Sequence, residues 1–263
     1  MLQTLQRVGR GQVLAAMEPG YAAFRGAFGG WTAAHALLAA LDWREGALQA
    51  TALSIDYLAP IVGGTVSSQA MVLHASRSQR FVGVTTQNDD SAVAARTSVL
   101  LAERPATVVA RGATMPHCAP AAELPRWRAD GATVTWLDRF DLRCAQGQVF
   151  EPSPGLRTLF WTRLDDRSPD DFAMLAALAD ASLPRIYFHF ARIEPIATVT
   201  MSIYVHADAA VLQQGLMQHV LIEAWCECAR GGFFDQRVRL WSHDGTLLAT
   251  SSQWVRYGFD ARP

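Results

Sequence analysis

Apolar residues follow helix and strand periodicities along the chain, and the same order, one helix and then several strands, occurs twice. The segment "FGGWTAAHALLAALDW" (28–43) is apolar on nearly every side of a helix, which predicts a helix surrounded by protein. Strand-like segments follow, from "ATALSIDYLAP" to "AVAARTSVLLAE". The plan then repeats, with a second apolar helix in "DDFAMLAALADASLP" and strand-like segments from "ATVTMSIYVHAD" to "TLLATSSQWVRYGF". One buried helix with a run of antiparallel strands, occurring twice, predicts an α+β fold.

The two halves also align at their ends. "NDDSAVAARTSVLL" superposes on "SHDGTLLATSSQWV" with Asp90 over Asp244, and "SIDYLAP" lies over "SIYVHAD" with Ser54 over Ser202. The repeat predicts a tandem duplication whose halves are joined by the proline- and alanine-rich stretch "RPATVVARGATMPHCAPAAELPRW". The predicted units are an N-terminal domain (1–104), a connector (105–130) and a C-terminal domain (131–263).

Composition narrows the possible functions. The chain is 50% hydrophobic and 18% charged with a formal net charge of -1, which is typical of a globular protein and gives no basic footprint for a nucleic acid. All its basic residues apart from histidine are arginines, so an anion site would use arginine. No signal segment or membrane span is evident, and we expect a cytoplasmic protein. The four cysteines form no paired framework, and only Cys226 and Cys228 are closely spaced. In a strand these two would share one face, which favours packing in the core over the alternative of a metal or redox site.

One residue interrupts an apolar strand face. Alternation in "TLLATSSQWVRYGF" places Leu247, Ala249, Ser251, Gln253 and Val255 on the same side. In the alignment of the halves, Gln253 takes the place of Val99. A buried amide therefore occurs in only one copy, and it should be compensated by specific contacts.

Asp180 is a second costly residue. It follows the apolar face of the second predicted helix and lies near the helix C-terminus, where burial and the helix dipole both oppose a negative charge. The alternative is that the helix ends earlier and that Asp180 is a solvated loop residue.

The strand in "IATVTMSIYVH" has one polar face. Alternation places Thr198, Thr200, Ser202 and Tyr204 on that face. The face could serve a site, or it could be the solvent-exposed side of an antiparallel sheet.

The order of these segments resembles the double-hotdog acyl-CoA thioesterases, particularly the bacterial acyl-CoA thioesterase II type. The resemblance rests on "FGGWTAAHALLAAL", "LSIDYLAP", "IATVTMSIYVH" and "HDGTLLATSSQ", and it covers about residues 26–258. It implies a tandem hotdog fold, in which two antiparallel sheets each wrap a buried helix. It also implies a hydrolase of lipid metabolism that cleaves a fatty acyl-CoA thioester to free acid and CoA, without a metal or other cofactor.

The resemblance further implies a set of site residues. Asp180, Thr198 and Gln253 correspond to the carboxylate, hydroxyl and amide that hold a water in that family. Thr200 and Ser202, on the same predicted strand face as Thr198, are the alternatives for the hydroxyl. Separately from the resemblance, the general behaviour of helix N-termini predicts that backbone N–H groups at the buried helix start, near Gly29 and Gly30, polarise the substrate carbonyl. The chain departs from the family pattern at Thr200 and Met201, where related enzymes often carry an Asp-His pair.

Two other functions fit the same fold. A hotdog dehydratase acting on a hydroxyacyl thioester would need a histidine in the cleft, for which His35 is the candidate, although a histidine on such a helix is more often a core residue. A non-catalytic acyl-CoA binding protein would keep the cleft without turnover. The expected partner of the thioesterase and of the binding protein is acyl-CoA, and a homo-oligomer is compatible with the sequence.

Overall fold

A computed structural model describes residues 1–128, 134–151, 156–166, 168–190 and 193–258. The helices are α1 (Gly29–Leu41), α2 (Asp171–Asp180) and α3 (Ala209–Gly215). The strands are β1 (Gln6–Gly9), β2 (Gln12–Ala16), β3 (Gln49–Tyr57), β4 (Thr65–Ala75), β5 (Gln79–Gln87), β6 (Val93–Ala102), β7 (Phe140–Gln146), β8 (Thr158–Leu164), β9 (Ile196–Val205), β10 (Val220–Trp225), β11 (Ala229–Arg230), β12 (Phe233–Trp241) and β13 (Leu247–Tyr257). The predicted α+β class is confirmed.

One continuous antiparallel sheet contains all of these strands. The N-terminal half, up to β6, contributes the order β1-β2-β4-β5-β6-β3, and the C-terminal half contributes β9-β13-β12-β10-β8-β7, with β11 paired to β12. The second order is the first one mirrored. The halves join where β3 pairs with β9, so the repeat in the sequence corresponds to a repeat in topology.

The two longer helices are buried, as their all-round apolar sequences predict. Every residue of α1 from Gly30 onward is buried, and so is every residue of α2 from Phe172 onward. The helices run antiparallel, because the start of α1 lies at the end of α2 and, at the other end, Arg44 pairs with Asp170 at 3.1 Å. Asp170 also caps α2 by accepting a hydrogen bond from the Phe172 N–H at 2.8 Å.

The described part of the connector covers the outer face of the C-terminal half of the sheet. Trp161 on β8 donates its indole N–H to the Ala119 carbonyl at 2.8 Å. Met115 and Leu124 pack against the buried cluster that contains Trp161 and Trp241. The connector therefore acts as a structural layer, while its predicted boundaries stay a prediction.

The sequence pattern did not predict some of the elements, and it predicted that the strand before Cys226 continues further than it does. The short helix α3 and the strands β1, β2, β7 and β8 were not predicted; these strands form the two ends of the sheet. The prediction that Cys226 and Cys228 share a strand face was wrong, because β10 ends at Trp225. Asp235 ends it by accepting the backbone N–H groups of Glu227 and Cys228 at 3.0 and 2.9 Å, which forms a turn. All four cysteines are free.

Candidate active site

Asp180 lies at the last position of α2, with only 8% of its surface exposed. It is not a loop residue. Its carboxylate accepts hydrogen bonds from the backbone N–H of Gly30 and from the side chain of Gln253. The start of α1 therefore supplies the partial positive charge that the end of α2 lacks, which resolves the unfavourable helix-dipole position noted in the sequence.

Burial sets the acidity of this carboxyl group. Removal from water raises the pKa of Asp180 from 3.8 to about 7, while the hydrogen bonds from Gly30 and Gln253 act in the opposite direction. A carboxyl group with such a pKa holds or releases a proton near neutral pH. That property suits a general base.

Two glycines allow the helices to approach each other at this point. A Cβ atom on Gly29 would lie 2.7 Å from Asp180 Oδ2, and one on Gly30 would lie 2.8 Å from the Ala177 carbonyl oxygen. Both distances are shorter than real contacts. The "FGG" entry to the first helix is therefore required by the close packing of α1 on the end of α2.

Gln253 on β13 is 3% exposed and connects three groups at this end of α2. Its Oε1 accepts a hydrogen bond from the Thr198 hydroxyl at 3.3 Å. Its amide nitrogen lies 3.5 Å from the Ala179 carbonyl and bonds to Asp180. Ser251 also donates to the Ala179 carbonyl, at 3.1 Å. The predicted contacts of Gln253 with Asp180 and a hydroxyl on β9 are confirmed; the catalytic roles stay a prediction.

A β-bulge decides which hydroxyl of β9 reaches the site. Trp254 pairs with Thr200, but the next residue, Val255, pairs with Thr198, so Val199 is an extra residue. The prediction that Thr198 shares a face with Thr200 was therefore wrong, because the bulge turns Thr198 to the inner face. Thr200 and Tyr204 are exposed, as the alternative interpretation of that face expected.

Tyr57 on β3 is a member of the site that the sequence analysis missed. Its hydroxyl donates to the Gly29 carbonyl at 2.9 Å and so holds the first turn of α1. Burial and the charge of Asp180 both raise the pKa of Tyr57 well above 10, which keeps it a proton donor. Alternation from Leu53 through Ile55 was a usable signal, since it places Tyr57 on the inner face.

A cavity of about 700 Å³ opens onto these residues. Gly29, Tyr57, Asp180, Thr198 and Gln253 all line it, whereas Gly30 does not and faces Asp180 instead. Most of the other lining side chains are apolar or aromatic. They include Phe24, Phe28, Leu58, Ile61, Trp127, Trp136, Val149, Leu183, Ile193 and Phe234.

Charge is distributed unevenly around this cavity. Asp180 is the acidic side chain among its described lining residues, and it lies inside. Arg25, Arg128 and Arg256 are the basic ones, and all three are exposed, which places them at the opening. The cavity therefore combines a basic entrance, an apolar wall and one buried carboxyl group.

Other candidates from the sequence lie elsewhere. His35 is fully buried within the N-terminal half, where its Nδ1 lies 2.8 Å from the Ser68 hydroxyl, and it does not line the cavity. Thr200 and Met201 stand where related enzymes often carry an Asp-His pair, and neither is charged. Met201 is buried opposite Gln253, and Thr200 is exposed. In the described ranges, no three acidic, histidine or cysteine side chains come together as a metal site.

The fold and this site agree with the protein family that the sequence matches. Residues 18–102 match the acyl-CoA thioesterase N-terminal domain, and residues 115–257 match the acyl-CoA thioesterase C-terminal domain. The chain therefore belongs to the acyl-CoA thioesterase family. Comparison with curated proteins finds no match.

Solved structures share the fold over almost the whole chain. A hot-dog-fold protein of unknown function from Alicyclobacillus acidocaldarius is 32% identical, with a TM-score of 0.90 and coverage of 98% of this chain and 96% of that one. The tesB protein of Mycobacterium avium subs. paratuberculosis is 20% identical, with a TM-score of 0.79 and coverage of 97% and 96%. The acyl-CoA thioesterase II TesB2 of Mycobacterium marinum is 15% identical, with a TM-score of 0.75 and coverage of 98% and 96%. The fold is thus a hotdog fold.

No helix in the described part of the chain is both long and apolar enough to cross a membrane.

Proposed function

We propose that the protein is a double-hotdog thioesterase that hydrolyses a fatty acyl-CoA to the free acid and CoA. The observation that carries the proposal is the Asp180 carboxyl group, buried at an apolar cavity and bonded to Gln253 and to the start of α1. Membership of the acyl-CoA thioesterase family supports the reaction class. The mirrored strand order of the two halves supports the tandem arrangement.

In the proposed reaction, Asp180 accepts a proton from a water molecule while the water oxygen attacks the thioester carbonyl carbon. A carbon–oxygen bond forms, and the carbonyl electron pair moves onto the oxygen. When this tetrahedral intermediate collapses, the carbon–sulfur bond breaks, and CoA leaves as a thiolate that takes up the proton from Asp180. A pKa of about 7 suits both proton transfers.

Thr198 and Gln253 orient the attacking water in this proposal. The Thr198 hydroxyl donates to Gln253 Oε1, so the amide nitrogen is directed towards Asp180 and the Ala179 carbonyl. The backbone N–H of Gly29, in the first turn of α1, polarises the substrate carbonyl. The Gly30 N–H bonds to Asp180 and therefore serves the base rather than the substrate.

The charge and polarity of the cavity match the two ends of an acyl-CoA. Exposed Arg25, Arg128 and Arg256 at the opening suit the phosphates of CoA, because guanidinium groups form charge-assisted hydrogen bonds with phosphate oxygens. The apolar wall formed by residues such as Phe24, Trp136 and Val149 suits a hydrocarbon chain.

Release of free thiol from saturated acyl-CoAs of varied chain length tests the proposal. We expect turnover by the wild type, and a loss of about 10²-fold or more in Asp180→Asn with folding intact, the usual scale for removal of a positioned base. Asp56→Asn, at an exposed position on β3, is the matched control and should retain activity. Gln253→Ala should lower turnover more than stability.

Two results would contradict this function. Binding of acyl-CoA without thiol release would indicate the non-catalytic binding protein. Unchanged turnover in Asp180→Asn would remove Asp180 from the mechanism.

A further inference from the structure

A second glutamine lies beside Gln253 on the inner face of the sheet. Gln236 on β12 pairs directly with Gln253 on β13. It is 3% exposed and lines the same cavity. Directly opposed residues in an antiparallel pair have Cβ atoms about 5 Å apart, so both amides belong to one site.

The orientation of the Gln236 amide is fixed by a backbone group. The Arg185 N–H donates to Gln236 Oε1 at 3.2 Å. Arg185 is itself held, since its guanidinium donates to the Leu156 carbonyl at 3.0 Å, the Thr158 hydroxyl at 2.7 Å and the Ala224 carbonyl at 3.2 Å. Because a backbone N–H can only donate, the oxygen of the amide must face it. The amide nitrogen of Gln236 then points away from Arg185.

That nitrogen is a donor without a protein partner. Over the described residues, no acceptor bonds to Gln236 Nε2, and the atom is not among the side-chain atoms sealed from solvent. Since Gln236 lines the cavity, Nε2 is accessible from it. The amide therefore presents two N–H groups to whatever the cavity binds.

Comparison of the two halves supports a role for this amide. Val82 pairs with Val99 in the N-terminal half, at the positions where Gln236 pairs with Gln253 in the C-terminal half. Both valines are fully buried. Two adjacent hydrophobic positions thus carry amides only in the half that contains Asp180. Packing alone does not require amides at these positions, because a pair of valines fills the equivalent positions in the N-terminal half.

We propose that Gln236 is a further catalytic residue, which donates a hydrogen bond from Nε2 to the thioester carbonyl oxygen and stabilises the negative charge that develops there. The inference rests on the proposed hydrolysis. A water held by Asp180 attacks a carbonyl carbon about 3 Å away. The carbonyl oxygen would then lie beyond the Gln253 amide on the side of its strand neighbour, Gln236. Gly30 cannot serve this oxygen, since its N–H bonds to Asp180, so Gln236 Nε2 would act as a second donor together with the Gly29 N–H.

The first experiment compares Gln236→Met with a matched control, Gln69→Met, which changes an exposed strand glutamine on the other face of the sheet. Loss of one donor to a developing oxyanion typically lowers kcat about 10²-fold. We expect such a loss in Gln236→Met with little change in KM, and wild-type kinetics in Gln69→Met. A kcat of Gln236→Met within about twofold of the wild type overturns the inference.

Binding of two unreactive analogues separates the catalytic role from a structural one. One is a ketone, in which methylene replaces the thioester sulfur, and the other is a thioether, in which methylene replaces the carbonyl. In calorimetry, Gln236→Met should lose about tenfold in affinity for the ketone and none for the thioether. Equal losses for both analogues would assign Gln236 a structural role. If Gln236→Met does not fold, Gln236→Val applies the same test, because valine has no N–H donor and already occupies the equivalent position, Val82, in the N-terminal half.

Measurements on the wild type distinguish a failure of this inference from a failure of the proposed hydrolysis. Thiol release by the wild type with unaltered kcat in Gln236→Met overturns the role of Gln236 alone. A wild type that binds neither analogue and releases no thiol overturns both.

Discussion

Ser54 and Ser202 lie directly opposite each other on β3 and β9, with their hydroxyl oxygens 3.1 Å apart, and they occupy the same position in the two halves of the chain. Equivalent residues that face each other must lie on the axis that relates the halves. β3 and β9 also carry corresponding irregularities, since the register shifts at Thr51 in one strand and at Val199 in the other. The alignment of Ser54 with Ser202 in the sequence is therefore confirmed by the geometry.

This correspondence shows where the halves differ. The residue beyond the bulge is Thr198 in β9 and Ala50 in β3. The inner-face residue on the neighbouring strand is Gln253 in one half and Val99 in the other. At these two inner-face positions, polar side chains therefore occur in the C-terminal half only.

Thr198→Val is expected to lower kcat about tenfold, and the matched variant Thr200→Val should stay within about twofold of the wild type. Thr198 donates the hydrogen bond that orients the Gln253 amide, and such a bond contributes about 1 kcal/mol. Thr200, two residues away, is exposed on the opposite face. Steady-state kinetics with an acyl-CoA measure the difference. Similar losses of kcat in both variants would mean that the bulge does not decide which threonine hydroxyl serves the site.

The pH dependence of kcat/KM should follow the ionisation of Asp180. Because the base must be deprotonated and its pKa is about 7, we expect kcat/KM to rise with pH, with a midpoint near 7 and a tenfold fall per pH unit well below it. Gln253→Met should move the midpoint to higher pH, since it removes a donor that favours the charged form. A midpoint near pH 4 in the wild type would contradict the burial of this carboxyl group.

Asp180→Asn is expected to stabilise the protein at pH 8 and to leave its stability nearly unchanged at pH 4. The pKa of Asp180 is raised from 3.8 to about 7, so the folded state keeps a proton that the unfolded state releases between these values. The free energy of unfolding of the wild type therefore falls as the pH rises through this range, and the loss persists above pH 7.

Thermal unfolding of the two proteins at a series of pH values tests this stability prediction. The difference in Tm should grow from about zero at pH 4 to roughly 5 °C at pH 8. A difference that does not vary with pH would show that the carboxyl group is not stabilised in its protonated form.

Gly29→Ala should lower activity by about tenfold or more, while Gly112→Ala should have no effect. A Cβ atom at Gly29 would approach Asp180 Oδ2 to 2.7 Å and the Tyr57 hydroxyl to 3.2 Å, so the carboxylate of the proposed base must move. At Gly112, a Cβ atom would meet nothing within 4 Å. A displacement of about 1 Å in a catalytic group is enough for a large loss of rate. Equal kinetics for the two variants would exclude the close approach.

The sequence predicted the parts of this structure that depend on periodicity. The two all-apolar helices were correctly placed, and so was Gln253, because an amide on an apolar strand face is an evident departure from alternation. The same signal was available for Gln236, which lies between Phe234 and Val238 on the inner face. It was missed because "FFDQRVRLW" also contains polar residues on the outer face, which hide the interruption.

Features set by contacts between distant residues could not be predicted. The bulge at Val199 leaves no mark in an alternating strand sequence, so the side to which Thr198 points was mispredicted. The compensation of Asp180 by the start of α1 depends on how two helices far apart in sequence pack together. The turn after β10 depends on Asp235, a residue of the next long strand.

The antiparallel packing of α1 and α2 has a consequence for how this protein can change over time. In a symmetric pair of identical chains, each substitution occurs twice, at both ends of the helix pair. Here one polypeptide forms both ends, so a substitution alters one end alone. The end with Val82 and Val99 can accumulate residues that stabilise the fold, while the other retains a buried carboxyl group that destabilises it at neutral pH. Selection for stability and selection for reactivity therefore act on separate residues of the same molecule.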